Sequence, residues 1–126
     1  MLLSILILGC TQEMEITYFA DACEDWDFEA EDASQVVAEK NDEGIVFLRK
    51  GVTQSCEASF QPEISAQRRL IQVFEDWEPP EEDDSCETCF FPTVVLHDPR
   101  AGDYELQWFD GRDSLTPVGF VSLTVE

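Results

Sequence analysis

Basic residues are scarce in this chain: 7 Lys and Arg stand against 28 Asp and Glu in 126 residues, a net charge of −21. Phosphate backbones and anionic headgroups are bound through Lys and Arg that displace counterions, so this balance sets nucleic-acid binding aside. Long apolar runs are missing as well. Residues 2–8 make an apolar run of seven, broken in character only by Ser4, where a membrane-crossing helix needs about 20. Histidine occurs once, at His97. Beside Asp98 it would suit a catalytic triad, but no Gly-x-Ser-x-Gly elbow offers a nucleophile. A lone His at a strand end is ordinarily a turn residue with a satisfied ring. There is a single Cys-x-x-Cys pair, Cys86 and Cys89, whereas structural zinc uses two such pairs or added histidines. A thioredoxin-like site wants its pair at a helix N-terminus that lowers the thiol pKa; here acids surround the pair and Pro92 follows. Carboxylates are so abundant that no pair stands out for glycoside chemistry. The chain is expected to be non-enzymatic and to need no cofactor.

What is present suffices for one packed core. Hydrophobic residues make up 44% and aromatics 11%, so the acidity reads as a solvated surface rather than as wholesale disorder. Five cysteines are odd in number, but Cys10 stands apart at the end of the apolar run. The remaining four, Cys23, Cys56, Cys86 and Cys89, form an even set that reads as two disulfides in an oxidising compartment. Four cysteines allow three connectivities, and a bridge from Cys56 to Cys89 is the expected one.

Short alternating runs fill most of the chain. Residues 13–20 set Met14, Ile16 and Tyr18 against Glu13, Glu15 and Thr17, a strand pattern. Residues 21–34 are acid-rich without a clean period, and Trp26 and Phe28 are expected to pin this connection to the core. Asp25, Asp27 and Glu29 alternate as calcium ligands would, but Ala30 stands where an EF-hand loop needs Gly. Asn41-Asp42-Glu43-Gly44 marks a hairpin between runs 35–40 and 45–50. Strands are further expected over 54–60, 67–77, 90–96, 104–109 and 118–125, with Pro92 near the start of its strand, where a missing N–H is tolerable. The 78–85 segment, with Pro79, Pro80 and an acidic run over 81–84, is expected to be a solvated loop. Seven or eight short strands without a helix predict an all-β, antiparallel sandwich.

Three resemblances sharpen this expectation. In the stretch 97–111, a turn at Asp98, Pro99 and Gly102 precedes Tyr104, Leu106 and Trp108 alternating with Glu105 and Gln107. A Tyr two residues past a turn glycine, opening a late strand, resembles the tyrosine corner of immunoglobulin-like sandwiches. The resemblance implies a corner made by Gly102 and Tyr104, with the hydroxyl bonded a few residues upstream, near Asp98 to Arg100. Ile7-Leu8-Gly9-Cys10 resembles the lipobox of a bacterial lipoprotein signal, whose cysteine receives diacylglycerol and becomes the new N-terminus. It implies a signal segment over 1–9, a single domain over 10–126 (126 − 9 = 117 residues), and membrane attachment through Cys10. The alternative is a short buried strand with a core cysteine. Over 51–125 the chain is similar to a set of uncharacterised bacterial envelope proteins. The shared pattern is Cys56 starting a strand that holds Phe60, a strand ending at Glu75, the close pair Cys86 and Cys89, then Gly102-x-Tyr104. This similarity implies a fold and no known activity.

The expectation is thus a disulfide-stapled, immunoglobulin-like β-sandwich, lipid-anchored at the bacterial cell envelope. It would act by binding, with an envelope protein as a partner, or as a structural module. The alternative is a metal-binding protein, with calcium at the acidic loops or zinc at the cysteines; a hydrolytic enzyme stands third. The charge alone makes a prediction. A surface at −21 repels itself, and salt shortens that repulsion to about 10 Å at ~0.1 M. Melting temperature should therefore climb with sodium chloride into the molar range, and a flat or falling curve would overturn the solvated-charge reading. A rise that needs only micromolar calcium would instead indicate a specific site at Asp25 and Asp27 or in the 81–84 run.

Overall fold

The computed structural model describes residues 3–8, 13–23, 35–82 and 86–126. In chain order its strands are β1 (Leu3–Leu8), β2 (Glu13–Ala22), β3 (Val36–Asn41), β4 (Gly44–Arg49), β5 (Val52–Ser55), β6 (Ser59–Phe60), β7 (Glu63–Gln67), β8 (Leu70–Phe74), β9 (Trp77–Glu78), β10 (Glu87–His97), β11 (Gly102–Phe109) and β12 (Gly119–Val125). One sheet runs β1-β2-β10-β4-β3, with β5 also on β10; a second runs β12-β11-β8-β7; β6 and β9 pair alone. Every ladder is antiparallel except β8 with β11. That pair is parallel because the chain leaves β8, passes through β9 and the centre of the other sheet as β10, and returns. The result is an all-β sandwich, as the alternating runs predict.

The strand count exceeds seven or eight because two expected runs are split and residues 3–8 add a strand of their own. Residues 54–60 do not form one strand: β5 ends at Ser55, and a turn closed by Ala58 N–H to the Ser55 carbonyl (3.0 Å) hands the chain from β10 to β9. Cys56 therefore begins a turn rather than a strand. Residues 67–77 contain a hairpin turn at Arg68 and Arg69, with Gln67 opposite Leu70 and Arg68 at φ 57°. Residues 3–8 pair with β2, Leu3 opposite Tyr18 through Leu8 opposite Glu13.

Alternation aims the apolar phases of the two sheets at each other. On β10, Val94 lies between Tyr18 and Phe47, and Leu96 lies between Ile16 and Ile45. Facing them from the second sheet are Ile71, Val73, Tyr104, Leu106 and Trp108, all buried. Each such side chain contributes roughly 1.5–3 kcal/mol of transfer free energy. Aromatic rings fill the space between: Trp108 meets Phe47 edge-on at 5.2 Å and stacks over Phe60 at 6.1 Å, and Phe60 meets Tyr18 edge-on at 5.9 Å.

Pro92 sits near the middle of β10, not near its start. A central strand tolerates it because the neighbouring ladder breaks there. Thr93 pairs with Leu48 and Phe90 with Val52, so three residues of the β4–β5 side face two of β10. This is a bulge, and Gly51 takes its left-handed position at φ 69°, where a side chain would be strained.

The corner at the start of β11 has the geometry of a tyrosine corner. Tyr104 is 1% exposed, and its hydroxyl donates to the Arg100 carbonyl at 2.8 Å. Gly102, at φ 143°, leaves room for the Arg69 side chain, whose Nη2 and Nε donate to the Ala101 carbonyl at 2.8 and 3.2 Å. Tyr104→Phe removes only the hydroxyl and strands that carbonyl, which should cost about 1–3 kcal/mol. Tyr104→Ala also loses the buried ring and should cost roughly 3–5 kcal/mol. Glu105→Gln, on the exposed face, is the control. Chemical denaturation that finds Tyr104→Phe equal to wild type would remove the corner from the list of stabilising contacts.

Candidate functional site

The four cysteines form two bridges, Cys23–Cys89 and Cys56–Cys86, with Cα separations of 5.3 and 5.4 Å. The expected Cys56–Cys89 bridge is corrected by the strand register. Glu87 lies opposite Ser55 and Phe90 opposite Ala22, so Cys86 faces Cys56 on one flank of β10 and Cys89 faces Cys23 on the other. The amides of Cys56 and Cys23 donate to the carbonyls of Cys86 and Cys89, both at 3.0 Å. Three residues apart on a strand, Cys86 and Cys89 point to opposite faces and staple opposite neighbours. Closing loops of 30 and 66 residues stabilises by about 4 kcal/mol each when taken alone in the chain-entropy account. Such bridges belong to an oxidising, extracytoplasmic compartment, and they take up the thiolates that zinc would need.

A second constellation is absent from the sequence reading. Glu75 follows β8 in the inward phase of Ile71 and Val73, and it is 5% exposed. Its Oε1 accepts from Arg49 Nη1 (2.9 Å) and from the indole N–H of Trp108 (2.9 Å), and its Oε2 accepts from the indole N–H of Trp77 (2.8 Å). Arg49 Nη1 also reaches Asp110 at 3.1 Å, while its buried Nε has no partner. Arg49 comes from β4, Trp108 from β11 and Trp77 from β9, so one carboxylate ties both sheets and the small ladder. The arrangement is closed to substrate: its acceptors are saturated by protein donors and its surroundings are aromatic. It holds the fold together.

His97 ends β10, and its Nε2 lies 2.9 Å from the hydroxyl of buried Thr17; this satisfies the ring across the β2–β10 ladder. The Tyr18 hydroxyl approaches Gln61 Oε1 at 3.4 Å, and burial pushes the phenol above its ordinary range. Among the described residues, no group of three or more His, Cys, Asp or Glu is placed to hold a metal. Cys10, the alternating Asp25, Asp27 and Glu29, the anchors Trp26 and Phe28, and Asp83 and Asp84 lie outside the described residues; Glu81 and Glu82 are exposed.

The open surface is the outward face of the four-stranded sheet. Near one end stand Phe120 and Val118, exposed by 67 and 45%; Leu115, exposed by 95%, belongs to the connection that leads into β12. Inward of them across the sheet, Phe109 and Phe74 stack at 4.6 Å. Phe120 lies opposite Gln107, which is bonded to Gln72 at 3.0 Å. Further along, Glu105 faces Ser122 and Asp103 faces Thr124, whose hydroxyl donates to Asp103 at 2.7 Å. These last four residues line a shallow depression.

No protein-family model matches the chain, and comparison with curated proteins and with solved structures finds no significant match.

The Glu75 cluster generates a stability prediction. Glu75→Gln leaves the Arg49 guanidinium without its inner counter-charge and turns one acceptor into a donor facing an indole N–H. Breaking one partner of a buried pair costs roughly 3–5 kcal/mol, and urea unfolding should read a loss of that size. Replacing Arg49 and Glu75 together by Met and Leu should recover part of it, since no lone charge is then buried. A Glu75→Gln variant within about 0.5 kcal/mol of wild type, the range of ordinary surface changes, would show that the carboxylate is not charged and paired as described.

Proposed function

We propose that the chain is a lipid-anchored, extracytoplasmic binding or structural module of the bacterial envelope, working without catalysis. The observation that carries this reading is the double staple on β10, in which Cys23–Cys89 and Cys56–Cys86 join the central strand to both flanks. Disulfides persist where thiol reductants do not reach, and Ile7-Leu8-Gly9-Cys10 supplies a lipobox-like route to such a place. A fold cross-tied at Glu75 and exposing Phe120 suits a rigid module that presents a surface. Under this reading, processing before Cys10 removes residues 3–8, and β2 becomes the edge of the larger sheet. Expression in a bacterial host with labelled palmitate should tag the wild type and lose the tag in Cys10→Ser. Label that persists in the variant, or that appears in neither protein, would overturn the anchor.

A further inference from the structure

We propose that the outward face of the β12-β11-β8-β7 sheet docks an extended, basic protein segment, with apolar side chains over Val118 and Phe120 followed by cations over Glu105 and Asp103. This rests on the reading of the chain as a binding module and names its face and partner class. Strand register sets the order. Val118 precedes β12 by one residue and its amide donates to the Trp108 carbonyl at 2.8 Å; Phe120 lies opposite Gln107, Ser122 opposite Glu105 and Thr124 opposite Asp103. Along one direction the face therefore presents two apolar rows and then two acidic rows, each two residues apart, about 7 Å at strand rise. An extended segment has the same period, so alternate side chains of one partner strand meet successive rows.

Charge selects among occupants. The outward positions of these strands include Glu63, Asp103 and Glu105 and no Lys or Arg. The nearby Arg112 is drawn to Asp76 at 2.9 Å and to Glu63 at 4.0 Å, and Arg69 at the β7–β8 turn is bonded to the Ala101 carbonyl, which leaves Asp103 and Glu105 as the acids offered to a partner. A second copy of the chain would set Asp103 and Glu105 against like charges, and an anionic bilayer would be repelled in the same way. A cationic partner is attracted, and the exposed Val118 and Phe120 give it an apolar anchor.

The test uses the oxidised full chain and a capped peptide, Leu-Thr-Leu-Thr-Lys-Thr-Lys, which reproduces the row order. Titration followed by amide shifts should saturate at millimolar peptide or below, with changes confined to residues 103–109 and 115–124. A peptide of the same composition in the order Leu-Thr-Lys-Thr-Leu-Thr-Lys, and the Phe120→Ser chain with the original peptide, should each bind about tenfold more weakly. Glu105→Lys should abolish binding, with neither variant unfolded at the titration temperature because the two side chains are exposed. Equal affinity for the reordered peptide, no effect of Phe120→Ser, no saturable binding, or self-association of the free chain in sedimentation would overturn the proposal. Saturable binding that maps to another face also overturns it, while leaving the binding-module reading in place.

Discussion

A single carboxylate, Glu75, is placed where the two sheets and the β6–β9 ladder meet, and their relative position depends on it. Burying a lone carboxylate is prohibitive, so its oxygens have to be met by donors fixed in space. Three elements supply them: β4 through Arg49, β9 through Trp77 and β11 through Trp108. A displacement of either sheet would strand at least one of these groups. Hydrophobic burial between the sheets is larger in sum but undirected; the Glu75 cluster converts loose apposition into one arrangement. Its backbone shares in this, since the Glu75 amide donates to the Phe109 carbonyl at 2.9 Å.

β10 is the second organiser, and its sequence is shaped by the sheet it centres. It is flanked on one side by β2 and on the other by β4 and then β5. Thr93, Val94, Val95 and Leu96 are all nearly inaccessible, so the strand is covered on both faces and reads as a continuous apolar run. The bulge at Lys50 and Gly51 absorbs Pro92, and beyond it each flank is held by a disulfide instead of by deep packing. Covalent closure is thus placed at the end of the sheet where half-exposed Cys23, Cys56 and Cys89 could contribute little as hydrophobes.

How much of this could be read from the sequence follows from its periodicities. The Tyr104-Leu106-Trp108 phase and the Asn41 to Gly44 turn each announce themselves within ten residues or so, the even cysteine set needs only a count, and the structure contains the strands, hairpin and bridges they imply. The Cys partners depend on which strands flank β10, a long-range property that four cysteines alone do not encode. The splitting of residues 67–77 is hidden in the sequence because Arg68 adopts its left-handed turn without a Gly or Asn to mark it. The Glu75 cluster left a faint signal. Arg49 continues the inward series Ile45 and Phe47, and Glu75 continues Ile71 and Val73. Two opposite charges, each the next inward member of an apolar phase, are more than strand ends; only their meeting in space shows it.

The scarcity of cations then acquires a structural meaning. Arg49 serves Glu75 and Asp110, Arg112 serves Asp76, Arg69 caps the Ala101 carbonyl, and Lys40 donates to the Asn41 carbonyl. Basic side chains are thus drawn into holding corners, turns and the intersheet junction, while Glu105 and Asp103, the outward acids of β11, lie opposite Ser122 and Thr124. Self-repulsion of such a surface opposes compaction, and the fold meets it with two disulfides and the buried Arg49–Glu75 ion pair. The same imbalance that makes the domain need staples leaves its open face with a field of one sign beside an apolar strip. The need for staples and the acidic outward edge of β11 are consequently two results of one distribution of charge.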